Sequence, residues 1–197
     1  MRGRASALIL LLAGAVVSGC GGLGLVSGTP SEIERSVVRI LNHSQRGDWY
    51  TPWNPGPAYQ SAATGFVIEG GRVMTNAHVV SDARVLMLYL HGDPTPHQAR
   101  VVAVGHDCDL ALIEPVEPGL LDGFPGMRFG RSLPALRSTV ETYGYPAGGQ
   151  RLSSTRGVVS RIEHGSYAHS GADAHLAVQT DAALNPGNSG GPVVQDG

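Results

Sequence analysis

The feature that most limits what this chain can become is its punctuation. Glycine and proline, 28 and 13 of 197 residues, cut it into runs too short for ordinary helices. Ser36–Leu41 opens with a short β-branched run, and Tyr50–Gln60, holding four Pro or Gly, reads as a loop. Strand-like segments follow at Ala62–Glu69, Arg72–Thr75, Arg84–His91, Gln98–Gly105 and Leu110–Glu114. Gly-Gly, Ser-Asp, Gly-Asp-Pro and His-Asp turn signals separate them. Pro115–Arg137 has no sustained period and reads as a connection between two halves. A second strand set covers Thr139–Tyr145, Leu152–Glu163, Leu176–Thr180 and Gly191–Gln195. No segment repeats apolar residues at helical spacing over three turns, so the fold class is all-β. Periodicity alone leaves a sandwich and a barrel equally open.

Composition removes several functions. With 42% hydrophobic and 15% charged residues the chain is globular rather than disordered. Every basic residue is Arg, and the net charge of −2 leaves no nucleic-acid footprint. Two cysteines, with neither Cys-x-x-Cys nor zinc-ligand spacing, give no disulfide scaffold, no metal and no cofactor. The N-terminus reads as an export signal over residues 1–19. Arg2 and Arg4 precede the apolar stretch Ala5–Val17, which is too short to span a membrane. Val17-Ser18-Gly19-Cys20 resembles the bacterial lipobox, in which the Cys thiol is lipidated and becomes the first mature residue. Residues 20–33 then read as a flexible tether. The expectation is a chain anchored through lipid on Cys20 to a bacterial membrane, facing the periplasm or the exterior.

Three segments carry chemistry. In Thr75-Asn76-Ala77-His78-Val79-Val80, an imidazole stands at a strand end, where it can act as a general base. In Asp107-Cys108-Asp109-Leu110-Ala111-Leu112, an Asp leads into an apolar strand and can orient an imidazole. Asp107 is read as sharing a strand face with Asp109. In Asn185-Pro186-Gly187-Asn188-Ser189-Gly190-Gly191-Pro192, glycines permit a tight turn that exposes a hydroxyl and aims backbone N–H groups at one point. Gly187–Gly191 also fits the G-x-S-x-G elbow of α/β-hydrolases. That fold needs a His after the Ser, and none follows Ser189. The order His78, Asp109, Ser189 is instead the chymotrypsin order.

Taken together, TNAHVV, DLAL and TDAALNPGNSGGP resemble the Deg/HtrA group of trypsin-like serine proteases. The similarity extends through TGFVIEGG, HDCDLALIEP, GYPAGG and TRGVVSRIEHGSYAHS, covering roughly Ser36–Gly197, and looks nearest to the Deg proteases of plant organelles and their bacterial relatives. It implies two perpendicular six-stranded β-barrels, residues 34–120 and 121–197, with a cleft between them. It implies a catalytic triad of His78, Asp109 and Ser189, Asp109 being preferred to Asp107 because the family places the acid directly before the apolar run. It also implies an oxyanion hole from the backbone N–H groups of Gly187, Asn188 and Ser189. Substrates would be unfolded or damaged proteins, and a homotrimer is expected because family members commonly form one.

Other residues take plainer readings. His164, His169 and His175 are read as loop or surface residues, Cys108 as a buried strand residue. Trp49, Tyr50, Trp53 and Tyr59 share one Pro-rich loop and are read as a cover over the barrel, the alternative being an exposed contact site. Family relatives continue past GNSGGP with two more strands, so the second barrel is expected to lack its last strands; the sequence is then either a fragment or a truncated product, and for the second weak or absent turnover is expected. The other function class considered is a non-catalytic peptide-binding or chaperone-like protein on the protease fold.

Overall fold

The computed structural model describes residues 31–147, 149–166 and 174–195. Cys20, the export signal and His169 lie outside those residues. Ten strands follow in chain order. They are β1 (Val37–Gln45), β2 (Ala58–Ile68), β3 (Arg72–Thr75), β4 (Ala83–Tyr89), β5 (His97–Gly105), β6 (Leu110–Pro115), β7 (Thr139–Gly144), β8 (Ser153–Ser166), β9 (Ala174–Thr180) and β10 (Val193–Gln195). The first six close into a barrel in the order β1-β2-β3-β6-β5-β4. The other four form an open antiparallel sheet in the order β10-β7-β8-β9. The all-β class therefore holds, as one closed barrel beside a partial second sheet.

Alternation along β1 shows how the halves meet. Val38 and Ile40 face the barrel core with Val67, Val73, Leu88 and Ile113, all essentially inaccessible. Val37, on the opposite face, packs instead against Tyr143 and Tyr145 of the second half. Closure is made by β1 against β4, where Arg39 pairs with Tyr89 and its guanidinium lies 4.2 Å from the ring centroid. The segment read as a plain connection does more than connect. Leu121 is buried in the barrel core, with Leu120 and Phe124 packed against it. Met127 N–H then donates to Val67 O at 2.9 Å, an isolated parallel bridge beside the last residues of β2.

Two short helices escaped a reading based on apolar period. α1 (Glu32–Ser36) starts at a reciprocal cap: Ser31 accepts from Glu34 N–H while the Glu34 carboxylate accepts from Ser31 N–H. It begins within the stretch read as a tether. α2 (Ala77–Val80) is a single turn after β3, held to β1 by Asn42, whose amide donates to Val79 O and Ser81 O. Side-chain positions correct three further expectations. Trp49, Tyr50 and Trp53 do not cover the barrel; they are 95%, 93% and 79% exposed. Cys108 is exposed in a turn rather than buried in a strand, because the chain reverses between β5 and β6 at residues 106–109. His164 and His175 belong to the paired strands β8 and β9 rather than a loop, with His164 exposed as the surface reading has it and His175 half-buried.

Leu88 is fully buried at the barrel closure. Leu88→Ala is expected to cost about 2–5 kcal/mol, the range for an aliphatic core truncation. Urea unfolding of the purified variant checks this, and a loss well under 1 kcal/mol would contradict the closed-barrel core.

Candidate active site

The site is assembled from three turns. β3 ends at Thr75, and Asn76 starts the α2 turn that carries His78. The turn between β5 and β6 ends at Asp109, whose backbone is left-handed with φ of 52°. Asp tolerates that region better than most residues, and such a conformation persists where surrounding contacts fix it. Here they do. Asp109 O accepts from the Asn76 amide at 2.9 Å, and Asp109 Oδ1 accepts from His78 N–H at 2.9 Å. The same carboxylate reaches the ring, with His78 Nδ1 at 2.8 Å from Oδ2 and 3.1 Å from Oδ1. A carboxylate accepts, so Nδ1 carries the proton in this pair. Asp109 is 9% exposed, so it faces the imidazole with little competing water.

Asp107 takes no part in this pair. Both acids lie in the turn, not on a shared strand face, and Asp107 O is bonded to the His175 ring instead.

Ser189 lies in the loop between β9 and β10, and that loop is pinned backbone to backbone. Thr64 N–H donates to Ser189 O at 2.9 Å, and Thr64 Oγ1 donates to Gly187 O at 2.7 Å. Thr64 O accepts from Thr75 Oγ1 at 2.8 Å, which ties the loop to the strand leading to His78. Asn76 and Ser189 share the wall of one cavity of about 400 Å³, with Tyr143, Leu184 and Asn188. Three glycines of the loop are sterically required. A Cβ on Gly190 (φ 80°) would strike Thr64 O and Thr75 Oγ1, one on Gly187 (φ 99°) would strike Tyr145 O and Ala147 N, and one on Gly191 would strike Tyr143 O.

Peptide orientations in the loop are set by their carbonyls. Ala147 N–H donates to Pro186 O at 2.6 Å, and Gly191 N–H donates to Asn188 O at 2.9 Å. In a trans peptide the N–H points opposite to the carbonyl, so the Gly187 and Ser189 N–H groups are turned away from those partners. Asn188 N–H, the third donor expected from the resemblance, donates to Asn185 O at 3.0 Å and closes a turn. Beneath the cavity, burial first and the Glu141 carboxylate second push the Tyr143 hydroxyl up to about 12, so it stays a donor to Glu141 at 2.7 Å. Glu141 is held below its usual range by Tyr143 and then by Arg156.

Sequence reading singled out His78, Asp109 and the Ser189 loop but passed over Thr64, Thr75 and Asn76. Thr75 and Asn76 carried a signal, as a hydroxyl and an amide closing an otherwise apolar strand, whereas Thr64, inside β2, carried none. Among the described residues no group of acids, His and Cys could hold a metal ion.

Residues 63–197 match the family described as trypsin-like peptidase domain. The chain belongs to that family. It is 43% identical over 159 residues to Protease Do-like 4, mitochondrial, of Arabidopsis thaliana, covering 81% of this chain and 30% of that protein. Against the Do-like 15 protein of the same plant, identity is 36% over 87% of this chain and 78% of that one. Within the trypsin-like peptidases, the chain therefore stands in the Deg/HtrA (Do-like) group. The active form of the Rv3671c protease from M. tuberculosis superposes with a TM-score of 0.66 at 28% identity, covering 83% of this chain and 66% of that one. The chain thus spans about a third of the length of Protease Do-like 4.

Gly190→Ala is expected to destabilise the protein by at least about 2 kcal/mol, combining left-handed backbone strain with a clash against fixed backbone. Thermal unfolding checks this; an unchanged midpoint would mean the loop does not sit on β2 and β3 as described.

Proposed function

We propose that the chain is a serine endopeptidase domain of the cell envelope that hydrolyses peptide bonds of unfolded or damaged proteins. The observation that carries the reading is the Asp109–His78 pair, with His78 in the turn directly after β3, whose last residue Thr75 is tied through Thr64 to the Ser189 loop. In the reaction, His78 Nε2 takes the Ser189 proton as Oγ attacks the carbonyl carbon. The C–N bond breaks as the imidazolium returns that proton to the leaving amine. Water, deprotonated by the same imidazole, then releases the acyl group and restores Ser189. Asp109 fixes the tautomer and stabilises the imidazolium. The Gly187 and Ser189 N–H groups receive the oxyanion, each contributing about 3 kcal/mol by the usual measure for such donors.

Lipid on Cys20 would hold this domain at a bacterial membrane, a reading supported by the lipobox-like VSGC after the apolar stretch. Assembly into a homotrimer is proposed from the family alone. The non-catalytic binder is the weaker reading, because peptide binding does not require a carboxylate held in bidentate fashion against an imidazole and its own backbone N–H.

Hydrolysis of unfolded casein by the purified protein tests this. Activity should vanish in Ser189→Ala and fall about 10⁴-fold in Asp109→Asn, which keeps the shape but loses the charge and favours the wrong tautomer. Equal activity in Ser189→Ala and parent would overturn the assignment.

A further inference from the structure

We propose that Thr64 is a positioning residue for the reaction, whose hydroxyl sets the Ser189 loop in register with β3 and the turn after it that carries His78. The inference rests on the endopeptidase reading above. Thr64 is fully buried in β2, its hydroxyl touches neither reacting group, and every polar atom it has is bonded, all but the carbonyl to the second half. Its N–H holds Ser189 O at 2.9 Å and its carbonyl accepts from Thr75 Oγ1 at 2.8 Å. Its hydroxyl donates to Gly187 O at 2.7 Å while accepting from Tyr145 N–H at 2.9 Å.

The backbone bonds would exist with any residue at this position. The two hydroxyl bonds would not, and they have one consequence for the chemistry. Gly187 O belongs to the peptide joining Gly187 to Asn188, so the hydroxyl fixes the rotation of the chain immediately after the Gly187 N–H. Tyr145 N–H is two residues before Ala147, whose own N–H pins Pro186 O and so the plane that carries the Gly187 N–H. One hydroxyl thus clamps both flanks of a proposed oxyanion donor. The buried Thr methyl meanwhile lies where a Cβ on Gly191 would meet it at 3.3 Å, a separate packing role that Ser would lose and Val would keep.

That separation defines the test. Thr64→Val keeps volume and removes the hydroxyl, and Thr64→Ser keeps the hydroxyl and loses the methyl. Ser189 labelling by a fluorophosphonate is timed on folded protein, and peptide hydrolysis is resolved into kcat and KM. Thr64→Val should slow labelling and lower kcat about 10- to 100-fold with KM little changed, the scale expected when a reacting group is misplaced by about an ångström. Thr64→Ser should label close to the parent rate even if it unfolds at lower temperature. Amide exchange by NMR gives an independent reading: Tyr145 N–H, deprived of its acceptor, should exchange about five- to tenfold faster in Thr64→Val and stay protected in Thr64→Ser. If Thr64→Val does not fold, Thr64→Ala takes its place in the same comparison. A labelled parent with Thr64→Val equal to it overturns this inference alone. A folded parent that never labels overturns the endopeptidase reading, and this inference with it.

Discussion

Everything at the site depends on backbone lying directly against backbone. The loop carrying Ser189 is packed so that Gly190 meets Thr64 O and Thr75 Oγ1, while Gly191 meets Tyr143 O. Side chains could not mediate a contact this close, because there is no room for a Cβ. A peptide loop has little intrinsic stiffness, so its conformation must be imposed by hydrogen bonds to rigid elements. The closed barrel supplies those elements. β2 and β3 belong to a closed barrel, and the loop is hung on Thr64 within β2 and packed against Thr75 at the end of β3.

Electrostatics then completes what packing begins. Asp109 sits where a carboxylate is nearly dry, and it is satisfied by two donors from one residue, the ring and the backbone N–H of His78. This arrangement fixes the ring's orientation as well as its proton, since a rotated imidazole would lose the short Nδ1 contact. The cost of a left-handed Asp is offset by the Asn76 amide on its carbonyl. The neighbouring Glu141, Tyr143 and Arg156 form a second group, in which the Tyr143 hydroxyl and the Arg156 guanidinium both donate to the Glu141 carboxylate.

Much of this was legible in the sequence. Glycine and proline spacing marked the β-runs because a strand needs only a few residues and a turn needs special backbone angles. The His, Asp and Ser segments stood out because their flanking residues are small or glycine. Other features were not legible, for physical reasons. α1 has too few residues to show an apolar period, although its Ser31-x-x-Glu34 cap was written in the chain. The role of Leu121 depends on where a Pro-rich segment folds back, which no local pattern encodes. Trp49 and Trp53 look like core residues by composition, yet a tight turn closed by Asp48 on Tyr50 N–H and Thr51 holds their loop outward. Thr64 is invisible for the opposite reason: its importance lies in partners more than eighty residues away.

The central claim is that Asp109, His78 and Ser189 act as one unit. Its most direct test is the rate at which a fluorophosphonate captures Ser189, located by peptide mass spectrometry, in the parent and in His78→Ala. The account predicts capture at Ser189 in the parent and its near-complete loss when the imidazole is removed. Capture at the parental rate without that imidazole would contradict it.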